Sequence, residues 1–185
     1  MVQRNRLFHT TLLFFWLIGG SSCTSSDSTK PTLVTTGSYF SLEDFFLKEA
    51  NRLAKLAPTV DKTVSRNGAP ENKRVQIDDW ENELALFIAS DINKPAWQNS
   101  YRADSTEGSL IYTSIDPELR TQKIIIDKHR NGNIKHIAIS NSTGNMLYKT
   151  TEHLDYYPDS LYQINKQQQV RVIGDSQYSI RGILQ

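Results

Sequence analysis

Histidine, serine and carboxylate side chains are the residues of this chain best suited to acid–base chemistry or metal binding. Beyond residue 100 there are three histidines: His129, His136 and His153. A metal site would need two of them to converge with a carboxylate, and nucleophilic catalysis would need a serine or cysteine beside a base. The G-x-S-x-G pattern of a nucleophile elbow does not occur. The sequence therefore predicts no catalytic residue, no metal site and no cofactor.

The surroundings of His136 can be predicted from the hairpin around Asn131-Gly132, a dipeptide typical of tight turns. A two-residue loop aligns isoleucines on one face of the hairpin, whereas a shift by one residue does not. The pairs predicted by this register are Ile124 with Ile139, Ile126 with Ile137, and Asp127 with His136. Such a carboxylate–imidazole pair contributes about 0.2–1 kcal/mol. We interpret it as a surface contact rather than as part of a metal site, with His129 on the other face.

Tyrosine is the one enriched side chain that could bind a ligand, with eight copies in the chain. Its flat ring and polar tip suit contact with a sugar, a lipid headgroup or a protein, but tyrosine also fills half-buried positions in sheets. Tyr156-Tyr157-Pro158, at the end of a predicted strand, is the most prominent cluster. The patch predicted for a partner or ligand consists of Trp97, Tyr101, Tyr156 and Tyr157.

Length and charge limit the classes of protein to which the chain can belong. Its 185 residues are 38% hydrophobic and 22% charged, which fits one globular domain. The formal net charge is +1. Without the first 22 residues, which include Arg4 and Arg6, the 21 basic side chains become 19 against 20 acidic ones, or −1. Nothing here predicts binding of nucleic acid.

Two amphipathic helices are predicted before residue 95. Ser41 is placed to cap the first, with Phe40 and Phe45 spaced as a hydrophobic staple, and Pro58 ends it. The second begins at Asp78, three residues before Glu81 as in a capping box, and ends at Pro95. The apolar stripe predicted for the first helix is Leu42, Phe45, Phe46, Leu53 and Leu56, and that for the second is Trp80, Leu84, Phe87, Ile88 and Ile92.

The rest of the domain is predicted to be an antiparallel sheet. Strands 59–66 and 73–77 flank Asn67-Gly68, and Pro70 predicts a loop longer than two residues. Seven further strands follow, at 97–103, 110–115, 122–129, 134–140, 146–156, 161–173 and 177–184. No helix long enough for a parallel crossover separates them. We predict an α+β domain over residues 39–185, a curved meander of about seven to nine strands covered by the two helices.

The first 22 residues have the pattern of a secretory signal peptide. Arg4 and Arg6 precede an apolar run, Leu7–Ile18, which is followed by small residues. Twelve helical residues span about 18 Å, well short of the roughly 30 Å hydrocarbon core of a bilayer. The run is therefore too short for a comfortable permanent span.

The only cysteine, Cys23, follows these small residues in the stretch GGSSC. This stretch resembles the lipobox of bacterial lipoproteins, and more closely the looser boxes of Bacteroidota, since Gly20 stands where leucine is preferred. The resemblance implies that Cys23 receives a diacylglyceryl group and becomes the first residue after removal of residues 1–22. There are two alternatives to a lipoprotein: an ordinary signal peptide that is cut near Cys23, or an anchor that is not cleaved.

Residues 23–38 are predicted to be an acylated cysteine and a flexible tether, because nine of the fifteen residues from Thr24 to Ser38 are serine or threonine. By the same resemblance, the absence of aspartate at Thr24 favours the outer membrane. The single acidic residue Asp27 favours its periplasmic face over the cell surface. Three short segments resemble the O-glycosylation motif of Bacteroidota envelope proteins, and their acceptors are Ser28, Ser105 and Ser160.

Three functions are compatible with these features. The first is a non-enzymatic lipoprotein whose β-rich domain binds an envelope protein, glycan or lipid, or acts as a scaffold. The second, by analogy of architecture with the outer-membrane lipoprotein receptor, is a lipid or lipoprotein carrier with an apolar cavity. The third is an enzyme acting on envelope polysaccharide, which would need two carboxylates across a cleft. We favour the first.

Overall fold

The computed structural model describes residues 39–185. The predictions for the signal peptide, for Cys23 and for Ser28 on the tether lie outside the described residues. The helices are α1 (Leu42–Leu56), α2 (Trp80–Glu83) and α3 (Ala85–Ile88), with a 3₁₀ turn at Pro95–Trp97. The strands are β1 (Thr59–Arg66), β2 (Ala69–Gln76), β3 (Tyr101–Thr106), β4 (Ser109–Ser114), β5 (Thr121–Lys128), β6 (Ile134–Gly144), β7 (Tyr148–Tyr157), β8 (Leu161–Val170) and β9 (Gly174–Leu184).

The nine strands of residues 39–185 form one antiparallel sheet in the order β2-β1-β9-β8-β7-β6-β5-β4-β3. Strands β3 to β9 are a simple meander, and the β1–β2 hairpin adds to it alongside β9. The segment containing α2 and α3 carries the chain from one edge of the sheet to the other. The predicted antiparallel sheet is confirmed, and the molecule consists mostly of it. None of the helices in the described part combines the length and apolar character needed to cross a membrane.

Helix α1 begins and ends where the sequence predicts. The hydroxyl of Ser41 accepts a hydrogen bond from the Asp44 amide at 3.0 Å, and the rings of Phe40 and Phe45 lie 5.8 Å apart. Ala57 ends the helix in the left-handed conformation, directly before Pro58. The predicted stripe is wrong at Leu56, which is the last helical residue and is largely exposed.

The second predicted helix is broken. Leu84 has φ −96° and ψ 9°, and this non-helical residue separates α2 from α3, each of four residues. Asp79, rather than Asp78, caps α2 by accepting a hydrogen bond from the Asn82 amide at 2.9 Å. The helical cover of the sheet is therefore smaller than predicted, although Trp80, Leu84 and Phe87 are buried in the core as expected.

The β1–β2 turn corrects the prediction of a longer loop. Arg66 pairs with Ala69, so Asn67 and Gly68 alone form the turn. Their φ angles of 52° and 92° are those of a type I′ turn, whose twist matches the flanking strands. Pro70 is accommodated because β2 is an edge strand, where a missing amide leaves no ladder bond unmade.

The predicted register of the β5–β6 hairpin is confirmed at all three of its pairs: Ile124 with Ile139, Ile126 with Ile137, and Asp127 with His136. The turn itself is longer than two residues, because the His129 amide donates to the Asn133 carbonyl and a bulge follows Asp127. Two predicted strands begin too early. Trp97 lies in the 3₁₀ turn, and Met146 lies in the β6–β7 turn.

Burial alternates along the central strands and distinguishes two faces of the sheet. On the covered face, Phe46 of α1 and Phe87 of α3 pack against Tyr156 of β7, with ring centroids 4.9–6.0 Å apart. The side chains that alternate with these buried ones lie on the opposite face of the sheet, which we call the open face. The largest side chains buried in the core are Trp80, Tyr156, Tyr162, Phe46, Phe87, Leu42, Leu53, Leu84, Ile92, Ile124, Ile126 and Ile137.

Candidate functional site

Five side chains form one connected group on the open face, which we call the open-face cluster: Ser109, Asp127, His136, Asp155 and Tyr157. Nδ1 of His136 lies 3.3 Å from Asp127 Oδ2, and Nε2 lies 2.9 Å from Asp155 Oδ1. The Ser109 hydroxyl donates to Asp127 Oδ1 at 2.6 Å. The ring of Tyr157 stacks on the imidazole at 4.2 Å with an interplanar angle of 11°.

Strand register brings the cluster together from four strands. Ser109 of β4 is directly opposite Asp127 of β5, which is opposite His136 of β6. Asp155 of β7 pairs with Ala138 and so lies diagonally across from His136. The sequence predicts the Asp127–His136 pair, but not Asp155 or Tyr157, because the β6–β7 turn lacks the dipeptide that fixed the other register. The only signal for Asp155 in the sequence was that polar residues alternate with apolar ones along both β6 and β7.

The cluster lacks the order of groups that nucleophilic catalysis requires. In a triad the histidine lies between the serine and the carboxylate and takes the serine proton. Here the Ser109 hydroxyl donates to Asp127, and both nitrogens of His136 face carboxylates. A neutral imidazole can donate to only one of them. The arrangement therefore holds the side chains in place and presents an imidazole–phenol surface.

The same geometry does not converge on a metal position. The two carboxylates contact different nitrogens of His136 and so approach opposite sides of the ring. Among residues 39–185 there is no group of three or more histidine, cysteine or acidic side chains arranged to hold a metal ion. A second serine–histidine pair, Ser140 Oγ with His153 Nδ1 at 3.3 Å, is exposed and has no carboxylate partner in the described part.

The predicted aromatic patch is corrected by the structure, which separates its four residues. Tyr101 and Tyr156 are buried on the covered face. Tyr101 donates its hydroxyl to the Thr121 carbonyl, and Tyr156 donates to the Glu49 carboxylate. Trp97 is half-buried in the 3₁₀ turn, with the Lys94 ammonium 4.4 Å from its ring centroid. Only Tyr157 of these four lies on the open face, because successive residues of a strand point to opposite faces.

Two buried tyrosines fasten the helices to the sheet. Tyr156 donates to Glu49 of α1, which is also paired with Arg52. Tyr162 donates to Glu83 of α2 at 2.5 Å, and Lys62 of β1 lies 2.7 Å from the same carboxylate. Burial, and then the bonds to these carboxylates, raise the pKa of both phenols. These side chains serve the fold rather than a ligand.

Glu49 could have been found in the sequence, since it lies on the apolar stripe of α1 between Phe46 and Leu53. A charged residue at such a position is buried only when it is paired. The Glu49–Arg52 spacing of three residues supplies that pair. The second partner of Glu49, Tyr156, is 107 residues away and could not be predicted.

A second internal polar group surrounds Glu152 of β7. Arg120 donates to Glu152 Oε2 at 2.7 Å, and the Asn141 amide donates to the same oxygen at 3.3 Å and to the Ser90 hydroxyl at 2.9 Å. Lys166 approaches the other carboxylate oxygen at 3.4 Å. The group joins the β4–β5 loop and the end of α3 to three strands.

Both buried carboxylates make the fold sensitive to acid. Burial alone would raise the pKa of Glu49 and Glu152, but hydrogen bonds from Arg52 and Tyr156, and from Arg120 and Asn141, lower it below the usual 4.5. A lowered pKa in the folded state stabilises the fold above about pH 4.5, and this contribution is lost as the pH falls through the folded values. We expect the free energy of unfolding, measured with urea, to fall steeply below that pH.

A Glu49→Gln/Glu152→Gln variant is the matched control for this acid transition. It should be less stable than the parent at neutral pH and should lose less stability on acidification. Equal slopes for the two chains below about pH 4.5 would contradict the assignment.

The two other glycosylation acceptors predicted from sequence lie at the surface. Ser105 is exposed on β3, and Ser160 is exposed in the β7–β8 turn. A shallow groove of about 380 Å³ lies on the β1–β2 hairpin. Its lining is polar, and Arg74 within it is already paired with Asp61 at 2.7 Å.

Comparison with known proteins finds no match: no protein-family model, no curated protein and no solved structure is significantly similar to this chain.

Proposed function

We propose that this protein is an outer-membrane lipoprotein on the periplasmic side, whose β-rich domain binds an envelope partner without catalysis. The observation that carries the binding role is the open-face cluster. It presents a stacked imidazole and phenol on a sheet face that the helices leave open. Its hydrogen-bonding groups are engaged with one another, which supports recognition of a partner rather than a reaction.

Helix α1 and the short helices α2 and α3 pack on one face only, and α+β is the class that we propose for this domain. The carrier function would need an apolar cavity between helices and sheet. At the centre of that layer, the rings of Phe46, Phe87 and Tyr156 contact one another. This packing favours a binding surface on the open face over a cavity.

A photoreactive phenylalanine analogue at position 157 tests the binding role in intact cells. Tyr157 is 37% exposed, so the analogue should be tolerated. We expect a cross-linked adduct of defined mass that weakens at least severalfold when His136 or Asp155 is replaced by alanine. The matched control is the same analogue at Trp97, in the 3₁₀ turn before β3. Strand β3 is four strands from β7 in the sheet order, so this position should give no such adduct.

Two results would contradict the proposal. One is an adduct at position 157 that is indifferent to His136→Ala and Asp155→Ala. The other is hydrolysis of envelope polysaccharide by the purified protein that is lost in the His136→Ala variant.

A further inference from the structure

Five large apolar or aromatic side chains are exposed together at one end of the sheet. Met146, Leu147 and Tyr148 belong to the β6–β7 turn and the start of β7, and Val172 and Ile173 belong to the β8–β9 turn. Met146, Val172 and Ile173 are 86–90% exposed. We call these five residues the apolar tip. Soluble proteins seldom expose so many apolar side chains in one place unless the surface binds something.

Backbone hydrogen bonds hold the two turns of the apolar tip side by side. The Arg171 amide donates to the Leu147 carbonyl at 3.0 Å, and Tyr148 pairs with Val170 across β7 and β8. The Asn145 side chain accepts from the amides of Leu147 and Tyr148 at 2.8 and 3.1 Å. The exposure of these side chains is thus a property of ordered turns.

The apolar tip extends beyond the rest of the sheet. Pairing of β5 with β6 stops at Asn141, and pairing of β1 with β9 stops at Tyr178. Strands β6 to β9 continue together for about three more residues, or roughly 10 Å at 3.3 Å per residue. The tip can therefore reach a surface before neighbouring strands meet it.

Side-chain types change in a definite order along this extension. Of the six turn residues, 145–147 and 171–173, four are apolar, and the other two are Asn145 and Arg171. Tyr148, Lys149 and Asp175 come next, and uncharged polar residues follow at 150–151 and 167–168. A bilayer presents its environments in a similar order. The hydrocarbon core comes first, then the headgroup layer, where amphipathic rings and cationic side chains lie, and then water. Of the three ionic side chains at this end of strands β6 to β9, Lys149, Arg171 and Asp175, two are cationic, which complements an anionic headgroup layer.

We infer that the apolar tip inserts into the surface of a phospholipid bilayer containing anionic lipid. The order of side chains with depth favours a bilayer over a protein partner, which would not require it. The inference depends on the proposed export to the envelope, but it concerns a second membrane contact, made by the folded domain. Such a contact would fix how the open-face cluster is oriented relative to the membrane.

A fluorophore at the tip tests this directly in the full chain. In a Cys23→Ser background, Met146→Cys provides a single thiol for the environment-sensitive dye nitrobenzoxadiazole. We expect its emission to shift to the blue when vesicles of phosphatidylethanolamine and phosphatidylglycerol are added. The same dye at Ser105→Cys, on the hairpin at the opposite end of the sheet, should not respond.

Substitutions in the other turn provide the second arm. Val172→Asp/Ile173→Asp, in the Met146→Cys chain, should weaken the vesicle-dependent shift about tenfold or more, because two apolar side chains no longer leave water. Leu56→Asp, an exposed apolar residue on α1, is the matched control and should leave the shift unchanged.

Three outcomes would overturn the inference: a tip dye that stays unshifted when the vesicles are added, equal shifts at Met146→Cys and Ser105→Cys, or a blue shift that appears without vesicles. The last would assign the tip to contact with another chain. Because the readout comes from the tip and Cys23 is absent, each of these leaves the proposed acylation standing.

Discussion

Replacement of Cys23 by serine is expected to leave the chain without an acyl group and to remove its palmitate label. The thiol of Cys23 is the only one in the sequence, so no other residue can form the thioether. Each buried methylene contributes about 0.8 kcal/mol to membrane binding, and one acyl chain holds a protein only marginally. Two or three chains on one cysteine, as the lipoprotein proposal requires, would give a permanent attachment, which serine cannot provide.

The measurement is incorporation of labelled palmitate, together with partition into the detergent phase of Triton X-114. Thr24→Ser, a neighbouring change that keeps the thiol, is the matched control and should behave as the parent. The lipoprotein proposal fails if the Cys23→Ser chain is still labelled, or if it partitions with detergent as fully as the parent does.

Gly182→Ala is expected to destabilise the fold by about 3 kcal/mol, at the upper end of the usual cost of overpacking. The buried ring of Tyr162 lies across Gly182 in the neighbouring strand, and a Cβ at this position would overlap that ring. The ring cannot simply move away, because its hydroxyl donates to Glu83 at 2.5 Å. The backbone at Gly182 is ordinary, so the cost arises from the contact alone.

Urea denaturation at neutral pH measures this cost, and the variant Arg181→Ala is the control on the same strand. Arg181 is exposed on the open face, so its replacement should change the free energy of unfolding by less than about 0.5 kcal/mol. In a Tyr162→Leu background the ring is absent, and Gly182→Ala should be close to neutral. An equal cost in both backgrounds would show that the ring is not the cause.

The failures of sequence-based prediction have a common physical origin. An alternating pattern identifies a strand and its two sets of side chains, but not which set meets the helices. Tyr156 and Tyr157 are neighbours of the same type, yet one is buried and the other stacks on His136. The break at Leu84 is equally hidden, because its immediate neighbours Glu83, Ala85 and Leu86 are all good helix formers.

The sequence alone determined helix α1, the antiparallel order of the meander and the register that joins Asp127 to His136, because each depends on residues close together in the chain. The helix cap, the hydrophobic staple, the turn dipeptide and the alternation of polar and apolar residues are all local signals. The tertiary structure alone decided the partners of Glu49 and Glu152, the completion of the open-face cluster by Asp155 and Tyr157, and the ring of Tyr162 over Gly182. These contacts join strands whose relative register is set by the whole sheet, and no local signal encodes that register.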